Sequence, residues 1–439
     1  MDQLPAEIRR EILQLLDLDT VKALRQVSKD WAILGEEYMI SSTFVTYLHR
    51  DDFGRLQSLS EHPRFPSYIR RLEFNFGEVN EYHARHNTYF MQYLQDPEYR
   101  NARLDEAWAY HGGLKTLKEA YAPKVCDPSR LEETFKQLQN LESIAVSLHN
   151  MPGFTNELFQ GIWRFPTTRA LPRVLTWERF TSILTAVSSS NIQLKSLSHD
   201  RLPFEFFTQR PMVISRLSTT FSNLQFLSLQ LDYSDSPNAA HHQMGMDRLS
   251  QFLRSAPLVK TLHLVFQGRT KILISPLLSN LETHAASVET LSLGNKEKDS
   301  SSPTFPFLET LMLDKIATTE FELAAFITRH PTLRRLQLGG PGLVAPHHSS
   351  DGGIQLTSGT FKGLFSQLKF SLEIEKFNAQ GEFQEVESSS RMQLQPVWNK
   401  EWVDLKLHER VEAKCFEDFI VRKIPWDPQW MEGVSQAEL

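Results

Sequence analysis

Apolar positions along this chain follow two alternating patterns. The first is a six-residue segment with apolar side chains at positions one, four and six. It reads IRRLEF (Ile69, Leu72, Phe74), LESIAV (Leu141, Ile144, Val146), LKSLSH (Leu194, Leu197), LQFLSL (Leu224, Leu227, Leu229) and VKTLHL (Val259, Leu262, Leu264). VETLSL (Val288, Leu291, Leu293), LETLML (Leu308, Leu311, Leu313) and LRRLQL (Leu333, Leu336, Leu338) follow, with LKFSLEI at 368–374 as a degenerate ninth. Such alternation predicts a strand with one buried face. From Leu224 the copies start 35, 29, 20 and 25 residues apart, periods that bracket those of leucine-rich repeats. The second pattern has helical spacing and lies between the strands, as in MDRLSQFLR from Met246, PLLSNLETHA from Pro276 and EFELAAFITR from Glu320. Several of these stretches run into Ala256-Pro257 or His330-Pro331, where the residue before proline disfavours further helix. A helix–strand unit of this kind leaves apolar edges uncovered, so the units must stack, giving an α/β fold with a parallel strand layer and outer helices.

The first stretch, Leu4 to Trp31, is different. Pro5 suits a helix start, and Glu7 complements the positive end of the helix dipole. Ile8, Ile12, Leu15 and Leu16 recur at helical spacing, and Asp17-Leu-Asp19 breaks the pattern, with Asp19 placed to cap a second helix. Val21, Leu24, Val27 and Trp31 form the stripe of that second helix. Two short helices so rich in large apolar side chains cannot bury them all against each other. The uncovered face requires the rest of the chain or another protein.

The residues Leu4-Pro5, Glu7-Ile8, Ile12, Leu16-Asp17, Leu24, Val27 and Trp31 make this stretch resemble the F-box family, over about 40 of the 439 residues. Val21 stands where that family more often has Leu. The resemblance implies docking on a Skp-family adaptor and, through it, a cullin-based ubiquitin ligase, with Leu4, Pro5, Ile8, Ile12, Leu24, Val27 and Trp31 as the adaptor-binding positions, some of which must hold the helices together. The irregular array behind it is similar to the divergent leucine-rich repeats of fungal-type F-box proteins, because the Asn or Cys that should follow each strand is mostly missing. The expected organisation is an F-box at 1–50, a helical linker and first repeat region at 51–135, a repeat array at 136–376 and a Trp-rich cap at 377–439. Within it, 77–130 reads as helical, 294–304 and 345–353 as loops, and 380–390 as a hairpin tip or loop. The tail holds Trp398, Trp402, Trp426 and Trp430, and a solenoid end needs a cover.

Composition narrows the function. The net charge of −6 gives no pull toward nucleic acid, and no apolar run approaches a membrane span. Two cysteines, Cys126 and Cys415, permit neither a disulfide framework nor a cysteine zinc site, and no Asn-x-Ser/Thr occurs, so a reducing compartment, cytoplasm or nucleus, is expected. Catalytic patterns are thin. His83 and His86 lack partner ligands, His241-His242 and His347-His348 read as loop residues, and Ser366-Gln-Leu-Lys369 stands without the companion motifs of serine–lysine enzymes. The glycine-rich Leu338–Gly342 lacks the Gly-Lys-Ser/Thr of a phosphate loop. Neither an enzyme nor a cofactor is expected. The reading is a substrate receptor, or alternatively a scaffold that binds the adaptor outside a ligase. The target would lie on the outward face of the middle strands, at Phe226, Gln230, His263, Val265, Met312 and Arg335, with Ser228, Thr261, Thr290, Ser292, Thr310 and Gln337 around them. That mixed, nearly uncharged surface suits a partly apolar protein segment better than a phosphate cluster.

Overall fold

The computed structural model describes residues 4–39, 41–77, 81–85, 96–148, 173–233, 239–268, 270–278, 304–340, 352–386, 391–395, 411–412, 414–422 and 424–426. They divide into two compact units, one formed by 1–164 with 179–194, the other by 165–178 with 195–439.

The first unit opens with three helices: α1 (Ala6–Gln14), α2 (Leu18–Arg25) and α3 (Lys29–Met39). Two were expected. The stripe Val21–Leu24–Val27–Trp31 is interrupted after Arg25, and Ser28 Oγ accepts from the Trp31 N–H at 3.4 Å as the third helix starts. The cap of α2 is Asp17, which accepts from Thr20 N at 2.8 Å, and Asp19 falls inside the first turn. That bond, with the Thr20 hydroxyl second, lowers the Asp17 pKa below its ordinary value. Pro5 is itself the N-cap of α1, one residue before the first turn. Leu13, Val21 and Trp31 make the buried centre of the three helices, with Ile12, Leu16, Leu24, Leu34 and Tyr38 packed around it. Three strands follow, β1 (Thr43–Tyr47), β2 (Arg71–Asn75) and β3 (Ser143–Ser147), paired parallel in chain order. Among the helices between them are α4 (Asp52–Ser60), α5 (Glu81–Arg85), the long α6 (Pro97–Val125), begun by an Asp96 cap, and α7 (Pro128–Gln137). The expected helical character of 77–130 is therefore found in its described part.

Between β3 and the next strand, helix α8 (Arg173–Ser189) contributes residues to both units. The second unit repeats strand and helix. Its main ladder is parallel and runs β4 (Ser196–Pro203), β5 (Phe226–Asp232), β6 (Thr261–Gln267), β8 (Thr310–Asp314), β10 (Arg335–Gly339), β12 (Lys376–Glu385). A second row contains β7 (Ile272–Leu273), β9 (Ile316–Thr319), β11 (Gly353–Ser358) and the end of β12, also parallel, closed by antiparallel β13 (Arg391–Gln395). Helices α9 (Pro211–Ser218), α10 (Ala239–Arg254), α11 (Ser275–Leu278), α12 (Glu320–Thr328), α13 (Phe361–Ser371) and, after β14 (Val411–Glu412), α14 (Lys414–Val421) complete the unit. N-terminal F-box-like helices followed by parallel strands with interleaved helices is the mixed α/β, solenoid-like organisation expected.

The strand pattern is realised closely. Every described apolar side chain at positions one, four and six of the repeated segment is no more than 2% exposed. Three expectations are corrected. First, β6 pairs directly with β8, whereas the sequence placed VETLSL between them; that segment lies outside the described residues. Consecutive ladder strands there start 49 residues apart, Val259 to Leu308, and not at leucine-rich spacing. Second, LKFSLEI is not a strand: Leu368 to Ser371 ends α13, and the strand is β12. Phe361, Leu364, Phe365 and Leu368 are all buried, a helical spacing that overrides the apparent strand. Third, 380–385 is strand, so the β12–β13 hairpin turns only after Glu385. At the junction of the two strand rows the backbones touch. Gly339 (φ +79°) and Gly353 (φ +115°) have no room for a Cβ, which would strike the carbonyl oxygens of Gln380 and Glu382 respectively. The described part of the tail packs on the last strand–helix unit: Phe416, Phe419 and Ile420 are buried, and Trp426 lies 5.2 Å edge-on from Phe419. Trp398, Trp402 and Trp430 lie outside the described residues.

Candidate functional site: an apolar helical face and an open strand face

In the three-helix segment the core takes one set of apolar residues and leaves another outside. Trp31 is 0% exposed, whereas Leu15 is 87% and Val27 67% exposed. Ile8, Leu18 and Ile33 are also largely exposed. Leu4 is half-buried and Pro5 exposed. Of the seven adaptor positions read from the sequence, Ile8, Val27 and Pro5 therefore present surface. Ile12 and Leu24 are partly covered by the core, and Trp31 supports the helices from inside. Leu15, Leu18 and Ile33 were not among those positions, although Leu15 and Leu18 flank the Asp17 cap and so end on the surface at the turn. The frame is held by tight helix approach at Gly35, where a Cβ would meet Arg25 Cγ at 2.6 Å, by Arg25 Nε donating to the Ala32 carbonyl at 3.1 Å, and by Arg9–Asp30 and Arg10–Glu37 pairs. Five large apolar side chains are thus exposed within some thirty residues.

The family model that matches is "F-box domain", over residues 1–35. The chain carries an F-box domain. F-box domains typically dock on Skp-family adaptors. No curated protein matches the chain.

In the second unit the parallel register aligns the outward residues in rows across the sheet. Phe226, Thr261, Thr310, Arg335 and Lys376 form one row. Ser228, His263, Met312, Gln337 and Asn378 form the next. All six tentative target residues, Phe226, Gln230, His263, Val265, Met312 and Arg335, lie on this face, half-buried except for exposed Arg335. Phe226 packs edge-on to His263 at 5.6 Å. Burial lowers the His263 pKa, which disfavours the charged form of its ring on this face. The misplaced ninth strand hid Lys376 and Asn378, which continue the two rows beside Arg335 and Gln337 respectively. The third row, Gln230–Val265–Asp314, is closed at Asp314, a buried carboxylate that accepts from Gly353 N at 2.6 Å. Burial raises the Asp314 pKa to about 6, against those hydrogen bonds and nearby Lys315 and Lys271. Thr290 and Ser292 lie outside the described residues.

The other chemical candidates resolve into packing. His241 and His242 are in helix α10, not a loop; His242 bridges Tyr233 Oη at 2.7 Å and the Leu273 carbonyl at 3.0 Å. Ser366 Oγ donates to the Lys362 carbonyl within its own helix, and Lys369 Nζ donates to the Ile424 carbonyl at 2.6 Å. Cys126 is held up in pKa by burial, with Arg179 opposing. The side chain of His83, and residues His86 and His347-His348, fall outside what is described. Among the described residues no group of three or more His, Cys, Asp or Glu could hold a metal, and no helix is long and apolar enough to cross a membrane.

Proposed function

We propose that the protein is the substrate-receptor subunit of a Skp–cullin–F-box ubiquitin ligase, acting in the cytoplasm or nucleus. Its F-box binds the adaptor and through it a cullin. The strand–helix units, read as divergent leucine-rich repeats, hold a protein target on their open face. The carrying observation is the F-box domain at 1–35 with Ile8, Leu15, Leu18, Val27 and Ile33 left outside a core that Leu13, Val21 and Trp31 already fill. The protein needs no bond chemistry or cofactor of its own: it raises the local concentration of the target near a ubiquitin-loaded enzyme bound elsewhere. An interface for such a purpose buries roughly 1,600 Å² and draws its energy from a few apolar anchors.

The test is affinity purification of the wild-type chain beside Leu15→Asp/Val27→Asp. Both substituted side chains are exposed, so the helices should remain folded while the adaptor and cullin are lost. Undiminished adaptor recovery would sink the docking assignment. Adaptor recovered without any cullin would assign the chain to a scaffold acting outside a ligase.

A further inference from the structure

The open strand face ends, beyond Gln230, in a buried ionic cluster that the adaptor and target reading leaves unused. Asp232 continues the Phe226–Ser228–Gln230 side of β5 and is 0% exposed. Its Oδ2 accepts from Arg201 Nε at 2.8 Å and its Oδ1 from Arg173 Nη1 at 2.8 Å. Every nitrogen of Arg173 is paired: besides Nη1, Nε and Nη2 donate to the two Glu205 oxygens at 2.8 and 2.6 Å, and Nη2 also to the Asp232 carbonyl. Burial opposes its charge, but Glu205 and Asp232 outweigh that and hold its pKa above the ordinary value.

Arg201 is not saturated. It is 1% exposed, yet neither Nη1 nor Nη2 has a hydrogen-bond partner among the described residues. Unmatched donors on a buried charge are costly, and natural folds rarely leave them. The local backbone is also irregular. The β4–β5 register shifts between His199 and Leu202, a bulge that carries Arg201 to Asp232, and bulges commonly re-aim a side chain at a site. On the other side of Asp232, in register with it, Gln267 donates through Nε2 to Gln230 at 2.7 Å while its buried Oε1 has no partner among the described residues. The cluster thus offers the open fork of one guanidinium and one acceptor.

We propose that Arg201 is the floor of a carboxylate subsite at this end of the open face, taking the terminal carboxylate of a peptide, whose adjacent N–H meets Gln267. This inference rests on the open face being the target surface. One free fork matches one carboxylate in two parallel hydrogen bonds. A phosphate dianion would meet the same single fork beside the carboxylates of Asp232 and Glu205, so the charge count favours the monoanion. Of the four charged residues in the cluster, Arg173 and Glu205 reach solvent, with side chains 13% and 32% exposed, so entry on the charged side runs past their pair.

The test is thermal melting of the full chain purified with its adaptor, titrated with pentaglycine bearing a free carboxylate, pentaglycine amide, acetate, and phosphate, each against chloride at equal ionic strength. Free-acid pentaglycine should stabilise the wild type and the amide should not. Arg201→Met should weaken that response by about tenfold or more, Arg201→Lys by less, and Glu205→Gln should strengthen it by removing a competing carboxylate. A response to acetate without one to the peptide keeps the subsite and assigns it to a small free acid. A response to phosphate alone, or equal responses to all four in wild type and Arg201→Met, overturns the proposal. So does an Arg201→Met chain that responds to the free acid as the wild type does. Target capture by these variants separates the two readings: retention by Arg201→Met, with loss on changing Phe226 and Met312, removes the subsite and leaves the open face standing.

Discussion

Exposed and buried members of one apolar set do different work in the F-box helices, and single substitutions should separate them. Trp31→Ala would open a cavity beside Leu13 and Val21 and cost about 3–5 kcal/mol, enough to unfold the helices. Circular dichroism and limited proteolysis of the N-terminal region would report it. Val27→Ala, on a side chain in water, should leave folding within about 0.5 kcal/mol and weaken only adaptor capture. His330 supplies a second residue-level test. Its Nδ1 donates to the Phe326 carbonyl at 2.8 Å, its buried Nε2 has no partner among the described residues, and its ring lies against Phe305 and Phe326. Burial, only partly countered by the Phe326 bond, lowers its pKa to about 4. Between that value and the ordinary one near 6.5 the unfolded chain binds the extra proton, so stability falls as the pH drops through this window, by up to about 3 kcal/mol. Asp314 has the opposite sign: its folded pKa of about 6 exceeds its unfolded one, so its contribution is present in acid and fades as pH rises through 6. Melting curves at pH 7 and 5 should therefore show a smaller difference in His330→Leu than in wild type and a larger one in Asp314→Asn.

At the scale of elements, the long helix α6 is open around its two central glycines. Gly112 and Gly113 sit in its middle with no described residue within 4 Å of where a Cβ would be. Alanine at either should add about 0.8–1.0 kcal/mol, read as a higher melting temperature, and a loss of stability would mean that these positions are packed. Helix α12 is fixed at its start by a reciprocal pair, Glu322 N to Thr319 Oγ1 at 3.1 Å and Thr319 N to Glu322 Oε2 at 3.2 Å. Thr319→Ala should cost about 1 kcal/mol. The strands were legible because their cores repeat at fixed positions that only a one-faced ladder explains. What was hidden follows from competition between signals. Leu368, Leu372 and Ile374 imitate a strand, but Phe361, Leu364, Phe365 and Leu368 bind the same segment into a helix. Ala239-Ala-His-His has loop-like polarity, yet contacts from Tyr233 and Leu273 to His242 carry the helix back to Ala239. The break that makes three N-terminal helices out of two rests on Ser28, a single cap that apolar spacing does not register.

At the scale of the whole molecule, the exposed apolar row of the F-box should make the isolated protein aggregate, and co-expression with a Skp-family adaptor should raise its soluble yield. Soluble, monodisperse protein without the adaptor would argue that something in the chain already covers that row. On the other surface, the triple change Phe226→Ser, Met312→Ser and Arg335→Glu should abolish target retention and leave melting and adaptor binding nearly unchanged, since all three side chains lie on the outward rows. A large drop in melting temperature would show them to be core. The outward set could be read from strand alternation alone, but Arg201 could not: its position depends on a register shift that no sequence spacing announces. The pairing order of the ladders has one more consequence. In each unit's main ladder every strand joins the one made before it, β1 to β2 to β3, and β4 through β6, β8 and β10 to β12. Nothing in those ladders waits for the carboxyl end of the chain, so the structure can be laid down in step with translation, amino end first. The three helices that close around Trp31 emerge earliest and need none of the later strands for their own centre. On this order the F-box helices can close while Phe226, Met312 and Arg335 are still unsynthesised, and the proposed function then predicts that an adaptor engages the nascent chain before its proposed target face exists.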